Sequence, residues 1–280
     1  MTPRVSAGPT AAITSALRIL DLSLGQMLWS RRSVFLGLLT GGPVVLALAI
    51  RVLTVLPLTA DIRVNGVQVG GVTLFGATIS FLYLRFIVPV LGVFYGTALI
   101  ADEVEDKTIT YLFTRPVPRS AVLVGKYLAY LVCTTLLALP SAMLVYFFVV
   151  PINGGRIGDA FPSLVVALGV IVVGLAAYGS AFALVGARLQ RPLVVGLVFA
   201  FGWEPVVQLF PGYVKRLTIG YYLQGLVPTL PRESTLNGLI GLFAEIPTLA
   251  ASAGSLALLT IGCLWLAGKV VETREYVLDP

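Results

Sequence analysis

The chain is 280 residues long, with 58% apolar residues and only 11% charged residues, whereas an ordinary soluble domain has roughly 25% charged residues. Its apolar residues gather in runs that reach the roughly 20 residues a helix needs to cross a bilayer, so the composition excludes an ordinary soluble protein. The sequence has no histidine and two cysteines, Cys133 and Cys263, which excludes Cys/His zinc clusters and catalytic triads that need histidine.

The first 32 residues predict an amphipathic helix, not a cleavable signal peptide, because they lack a short apolar core followed by a cleavage site. An apolar stripe recurs at steps of four and three: Ile13, Leu17, Leu20, Leu24 and Met27. This spacing places the stripe on one helix face. We expect the elbow 1–32 to lie in the cytoplasmic headgroup plane, and packing against a partner subunit is the alternative.

Six apolar runs predict six transmembrane helices, and hence an all-α integral membrane protein with a single domain, 1–280. The predicted spans are 33–57, 76–101, 121–150, 161–187, 192–210 and 249–270. Prolines interrupt two of these runs, at Pro43 in span one and Pro140 in span three. Each frees a backbone carbonyl one turn earlier, which produces either a hinge or a tolerated bend.

Three charged residues fall within the spans away from their cytoplasmic ends, and a charge near the bilayer centre costs about 2.5–3.5 kcal/mol. Arg51 lies about 27 Å along span one, so its side chain can reach the outer surface. Arg85, about 14 Å from the outer end of span two, and Glu204, about 18 Å from the inner end of span five, lie at nearly the same depth. We expect both to face the bundle interior and hypothesise that they pair, either as a structural lock or along a substrate path.

The connection between spans two and three, 102–120, carries a distinctive charge and proline pattern. Four acids, Asp102, Glu103, Glu105 and Asp106, precede Thr108, a residue type that caps helix N-termini, where negative charge is favourable. Ile109, Leu112 and Phe113 would share one face of a short helix that Pro116 and Pro118 end. The pattern predicts a short helix with an apolar knob that a cytoplasmic partner would bind, and a solvated loop is the alternative.

Small residues recur at steps of four in the later spans. Gly179, Ala183 and Ala187 do so in span four, and Gly196 and Ala200 in span five. Such stripes allow close approach of membrane helices, so we expect tight packing along these two faces.

The segment 211–248 is too apolar for an ordinary loop and is repeatedly broken by proline and glycine. It predicts half-inserted helices on the outer side, with their ends buried by other helices. Tyr213, Tyr221 and Tyr222 would then lie at the aqueous interface.

The distribution of basic residues predicts the orientation. With the N-terminus inside, 12 Lys and Arg residues fall on the cytoplasmic side and 5 on the opposite side. This positive-inside bias places both termini in the cytoplasm. It also accounts for the net charge of +6 without nucleic-acid binding.

The spacing of Glu103, Thr108, Leu112, Pro116 and Arg119, followed by Gly125-Lys126, resembles the signature of ABC type-2 permeases, the membrane subunits of many ATP-binding-cassette exporters. The family's usual glycine before the threonine is replaced by Lys107, which affects only the local turn. The amphipathic elbow, six spans and the broken segment before the last span are also similar to that family.

The resemblance implies a permease that forms the translocation path for export across a bacterial or archaeal plasma (inner) membrane. A second permease copy, identical or related, and separate nucleotide-binding ATPase subunits would complete the transporter, with ATP and Mg bound by the ATPase and no cofactor in this chain. The coupling residues that it implies are Glu103, Thr108, Ile109, Leu112, Phe113, Pro116, Arg119 and Lys126.

The chain itself is not expected to be an enzyme. A Walker loop needs Gly-Lys followed by Ser or Thr so that backbone amides can cradle phosphates, but Lys126 and Lys269 are followed by Tyr127 and Val270. Lys126 would act as a headgroup anchor or as a contact to the acidic cluster. The alternative functions are a non-transporting scaffold or sensing subunit, and an ion-coupled secondary transporter.

Overall fold

The computed structural model describes residues 25, 27, 31–55, 63–64, 67–68, 70–100, 119–209, 213–227 and 247–273. The helices are α1 (Arg31–Val55), α2 (Gly71–Ile100), α3 (Arg119–Val149), α4 (Ile157–Arg188), α6 (Ile219–Leu226) and α7 (Leu249–Thr273). Helix α5 consists of three consecutive segments: Pro192–Leu197, Val198–Trp203 and Glu204–Leu209. Two-residue strands β1 (Arg63–Val64) and β2 (Val67–Gln68) pair antiparallel between α1 and α2, and 3₁₀ turns lie at Ile152–Gly154 and Tyr213–Leu217.

The all-helical membrane fold is confirmed. In the described part of the chain, five helices are long and apolar enough to cross a membrane, namely α1, α2, α3, α4 and α7. The sixth expected span corresponds to α5, whose apolar part Pro192–Val207 is shorter than the others. Pro205 lies near its end and cannot donate a backbone hydrogen bond, which weakens the helix there.

Helix α4 is the centre of the bundle, since it contacts α2, α3, α5, α6 and α7. The small-residue stripe predicted for span four lies on its buried faces. A Cβ on Gly179 would lie 2.1 Å from the Tyr130 ring, and one on Gly186 would lie 2.4 Å from the Thr97 carbonyl oxygen. A Cβ on Gly196 of α5 would lie 3.1 Å from Val93. These short separations confirm the expected close approach of the helices.

The helical geometry departs from α at places other than those expected. Helices α1 and α3 continue without interruption through Pro43 and Pro140, which agrees with tolerated bends. Wide π-helical turns occur instead at Ile79–Ile87 and Gly92–Gly96 of α2 and at Val198–Trp203 of α5. Two of these segments end just before Pro89 and Pro205, whose missing N–H already breaks the regular hydrogen-bond ladder.

Buried tyrosine hydroxyls join neighbouring helices, a feature that the sequence analysis did not predict. In an apolar medium each hydroxyl needs a partner, so each bond holds two helices together. The bonds with ordinary distances are Tyr83 to Ser141 Oγ (2.6 Å), Tyr95 to Ser33 Oγ (2.7 Å), Tyr127 to the Ala176 carbonyl (2.8 Å) and Tyr130 to the Leu175 carbonyl (2.8 Å).

Three predicted regions lie outside the described residues: most of the elbow 1–32, the coupling segment up to residue 118, and the part 228–246 of the half-inserted segment. Within 211–248, the structure describes α6, whose first turn is buried inside the bundle. Tyr213 is 76% exposed, whereas Tyr221 and Tyr222 are half-buried and pack edge to face with a centroid separation of 5.2 Å.

Candidate functional site

Among the residues that the structure describes, Glu204 is the buried acid. It directly follows the π-helical segment Val198–Trp203 of α5 and precedes Pro205. Only 4% of the residue is exposed, although a carboxylate in an apolar interior requires strong partners. The expectation that Glu204 faces the bundle interior agrees with this placement.

The carboxylate accepts three hydrogen bonds from two other helices. The Tyr178 hydroxyl of α4 donates to Oε2. The backbone N–H groups of Ile219 and Gly220, in the first turn of α6, donate to Oε1 at 3.0 and 3.4 Å. Glu204 therefore joins α4, α5 and α6 at a single point.

These bonds explain how the first turn of α6 can be buried. The first N–H groups of a helix have no partner within the helix, and the positive end of its dipole favours an acid. Thr218 at the N-cap makes no capping bond with its side chain, since its hydroxyl donates to the Lys215 carbonyl at 2.8 Å. Glu204 supplies the missing acceptor from a different helix.

Arg85 lies beside Glu204 without forming an ion pair with it. Both residues line one cleft of about 40 Å³, together with Ser80 and Gln224, in agreement with the similar depths estimated from the sequence. The hypothesised ion pair is wrong, however, because the described residues include no such pair and the guanidinium lies 5.1 Å from the centroid of the Phe81 ring. Arg85 is also exposed on this chain, which corrects the expectation that it faces the interior.

Lys126 joins the two helices that flank the coupling segment. It is only 9% exposed, and its ammonium donates to the Leu99 carbonyl at 3.3 Å. Leu99 lies at the C-terminal end of α2, where a positive charge complements the helix dipole. The buried ammonium argues against the expected role as a headgroup anchor, and the alternative contact with the acidic cluster lies outside the described residues.

Of the remaining predicted coupling residues, the structure places Arg119 alone. Glu103, Thr108, Ile109, Leu112, Phe113 and Pro116 lie outside the described residues. Arg119 is the first residue of α3. The structure therefore places the helix ends on either side of the undescribed part, Ile100 and Arg119, and the nearby contact of Lys126 that links α2 to α3.

Sequence reasoning missed Tyr178 and the α6 amides as partners of Glu204. One signal was present: a tyrosine inside an apolar run needs a hydrogen-bond partner for its hydroxyl. That signal predicts that the Tyr178 hydroxyl has a hydrogen-bond partner. It does not identify the contact, because the face that α4 turns toward α5 depends on how the helices pack.

The sequence matches a known family of membrane transport proteins over most of its length. The family model described as "ABC-2 family transporter protein" matches residues 12–260, which include α1 to α6, the first half of α7, the coupling segment and the Glu204 site. No curated protein matches the chain.

Proposed function

The chain belongs to the ABC-2 family of transporter proteins, and we propose that it forms the translocation path and receives mechanical work from separate nucleotide-binding ATPase subunits. It is thus a multi-pass membrane permease component of an ABC transporter. The single observation that carries the proposal is the family match over residues 12–260, since the matched region contains both the helical bundle and the coupling segment.

The contacts near the coupling segment support a path by which its displacement could be transmitted to the helices of the bundle. Lys126 joins the start of α3 to the end of α2 through the Leu99 carbonyl. Helix α2 in turn lies against α4 at Gly186, where the Thr97 carbonyl occupies the space of a Cβ. A displacement of the coupling segment would therefore reach α2, α3 and the central helix α4 together.

The complete transporter would contain a second permease copy, identical or related, and an ATPase that binds ATP and Mg. We propose export as its direction and the plasma (inner) membrane of a bacterium or archaeon as its location, with both termini in the cytoplasm. The excess of basic residues on the proposed cytoplasmic side supports the orientation.

The direct test is to express the chain with its native gene neighbours and to determine the mass of the detergent-extracted complex. A soluble ATPase in stoichiometric complex, with ATP hydrolysis that substrate stimulates, is the expected result. A chain that extracts without an ATPase would favour an ion-coupled transporter. A complex whose hydrolysis no substrate stimulates would favour a scaffold or sensing subunit.

The docking assignment predicts the effect of two substitutions. Leu112→Asp and Phe113→Asp should release or uncouple the ATPase, because each places a charge on the apolar knob that the ATPase groove would bury. The measurement is ATPase retained on affinity purification, together with transport-coupled hydrolysis.

Ile157→Asp is the matched control, since Ile157 is an apolar residue 41% exposed at the start of α4, the end of the bundle away from the coupling segment. It should leave the complex intact. Normal hydrolysis and transport in both coupling-segment variants would show that the ATPase docks elsewhere.

A further inference from the structure

Arg85 is a cation at the middle of a membrane-spanning helix. It lies 14 residues after Gly71 and 15 residues before Ile100, the two ends of α2. An arginine there is too far from either surface of a core about 30 Å thick to place its guanidinium among the headgroups. Since a charge at this depth is costly, such residues mark functional sites with a definite partner.

The surroundings of Arg85 are polar on one side and apolar on the other. Behind it lies the cleft of about 40 Å³ lined by Ser80, Glu204 and Gln224, a volume that holds a few waters or a small polar group. Beside it lie three exposed aromatic rings: Phe81, Phe86 and Phe201 are 61%, 41% and 40% exposed. The rings of Phe86 and Phe201 are 5.6 Å apart, so they form one apolar surface across α2 and α5.

The backbone on both walls of this cleft is unusual. Arg85 lies inside the π-helical segment Ile79–Ile87, and Glu204 directly follows the π-helical segment Val198–Trp203. Wide helical turns of this kind are frequent at functional sites. Two of them meeting at one cleft indicate a site that is built into both helices.

Among the residues that the structure describes, no acid forms an ion pair with Arg85. Glu204 is held by Tyr178 and the α6 amides. Across the complete sequence, the six predicted spans contain no acidic residue other than Glu204. Because its carboxylate already accepts these three bonds, a ligand with an anionic group would supply the opposite charge for Arg85.

We infer that Arg85 binds the acidic headgroup of an anionic amphiphile within the membrane, with its apolar tail against Phe81, Phe86 and Phe201. A phosphate or carboxylate would form charge-assisted hydrogen bonds with the guanidinium. The inference rests on the proposed function in one respect: a ligand held at this depth would be the transported substrate or a lipid resident in the translocation path. Where the ligand is the substrate, the substrate class of that path is amphiphiles with a single acidic headgroup.

The test is native mass spectrometry of the purified full-length chain titrated separately with phosphatidylglycerol, phosphatidylcholine and oleate. The wild-type protein should bind the two anionic probes about tenfold more tightly than phosphatidylcholine. Equal affinity for all three probes would overturn the inference, and this comparison requires no variant to fold.

Arg85→Gln should remove the preference for both anionic probes, whereas Arg85→Lys should retain part of it. Arg51→Gln is the matched control, because Arg51 lies near the end of α1 and should leave the preference unchanged. If Arg85→Gln alters the oligomeric state but not the lipid preference, the residue is a subunit contact and the inference is wrong.

A final arm identifies the source of the ligand. In the complex with the ATPase, release of the bound probe on addition of ATP would identify a transported amphiphile, whereas unchanged binding would identify a resident bilayer lipid. Both results support the Arg85 site. Because the binding titration uses the permease alone, its outcome is independent of whether an ATPase co-purifies.

Discussion

The carboxylate of Glu204 accepts hydrogen bonds from the Tyr178 hydroxyl and from two backbone amides of α6. Each of these donors is buried, and a buried donor without an acceptor costs about 1–3 kcal/mol. The residue is therefore a tie between three helices, and this favours the structural interpretation of Glu204 over a direct role in the substrate path.

Replacement of Glu204 by alanine should lower the free energy of unfolding by about 2–4 kcal/mol, because it leaves these donors without their acceptor. Glu204→Gln retains one carbonyl oxygen, and Tyr178→Phe removes only one donor, so both should cost less than Glu204→Ala. Thermal unfolding in detergent micelles measures the order of the three variants. Asp159→Ala, which removes an exposed acid from the first turn of α4, is the control; equal melting temperatures for Asp159→Ala and Glu204→Ala would contradict the proposed tie.

At the scale of single elements, the glycines of α4 lie where groups from neighbouring helices approach its backbone. Gly186 leaves room for the Thr97 carbonyl of α2, and Gly179 leaves room for the ring of Tyr130 from α3. The ring approaches α4 so closely that its hydroxyl reaches the Leu175 carbonyl at 2.8 Å. Because glycine has no Cβ, these positions allow both the close approach of the helices and the hydrogen bond between them.

Two glycines of α4 provide a matched pair of substitutions. Gly186→Ala should destabilise the fold by about 1–3 kcal/mol, since the new Cβ would lie 2.4 Å from the Thr97 carbonyl oxygen, a backbone atom that moves only if α2 moves. Gly169→Ala meets nothing within 4 Å and should be neutral or slightly stabilising, because alanine favours helix over glycine. The melting temperatures of the two variants measure the difference. A Gly186→Ala protein as stable as wild type would show that α2 and α4 are not tightly packed.

At the scale of the whole molecule, the bundle is arranged around α4, and the short helix α6 packs against both α4 and α7. Helix α7 lies on the outside, and several of its large apolar side chains are exposed, among them Leu258 (76%) and Ile261 (69%). In a membrane protein such surfaces face lipid or another subunit, and their exposure carries no penalty there. The tyrosine bonds between helices and the contacts of Glu204, in contrast, lie on faces that the helices turn toward one another.

The proposed orientation can be measured with single-cysteine reporters. Both native cysteines are free in the described structure, so replacing them with alanine provides a background without thiols. Arg191→Cys and Arg156→Cys then place reporters at exposed positions that precede α5 and α4. An impermeant maleimide added to intact cells should label Arg156→Cys, and should label Arg191→Cys only after the membrane is opened. The reverse pattern would place the termini outside.

Much of the architecture was predictable from the sequence because it depends on the length of apolar runs and on the spacing of residues along the chain. Run length decides which segments can cross a bilayer, and the predicted runs correspond to the five long apolar helices and to the shorter α5. Spacing of small residues identified the packed faces around Gly179 and Gly196. The coupling pattern at 102–120 pointed to the family that residues 12–260 match.

The tertiary structure decided what the polar groups contact. The sequence placed Arg85 and Glu204 at similar depths, but only the rotation and packing of α2, α4 and α5 determine that Glu204 caps α6 while Arg85 faces outward. The π-helical turns and the tyrosine bonds between helices arise in the same way, since they depend on which faces meet. Apolar runs specify that a helix crosses the membrane and leave its rotation about its own axis to be set by neighbouring helices.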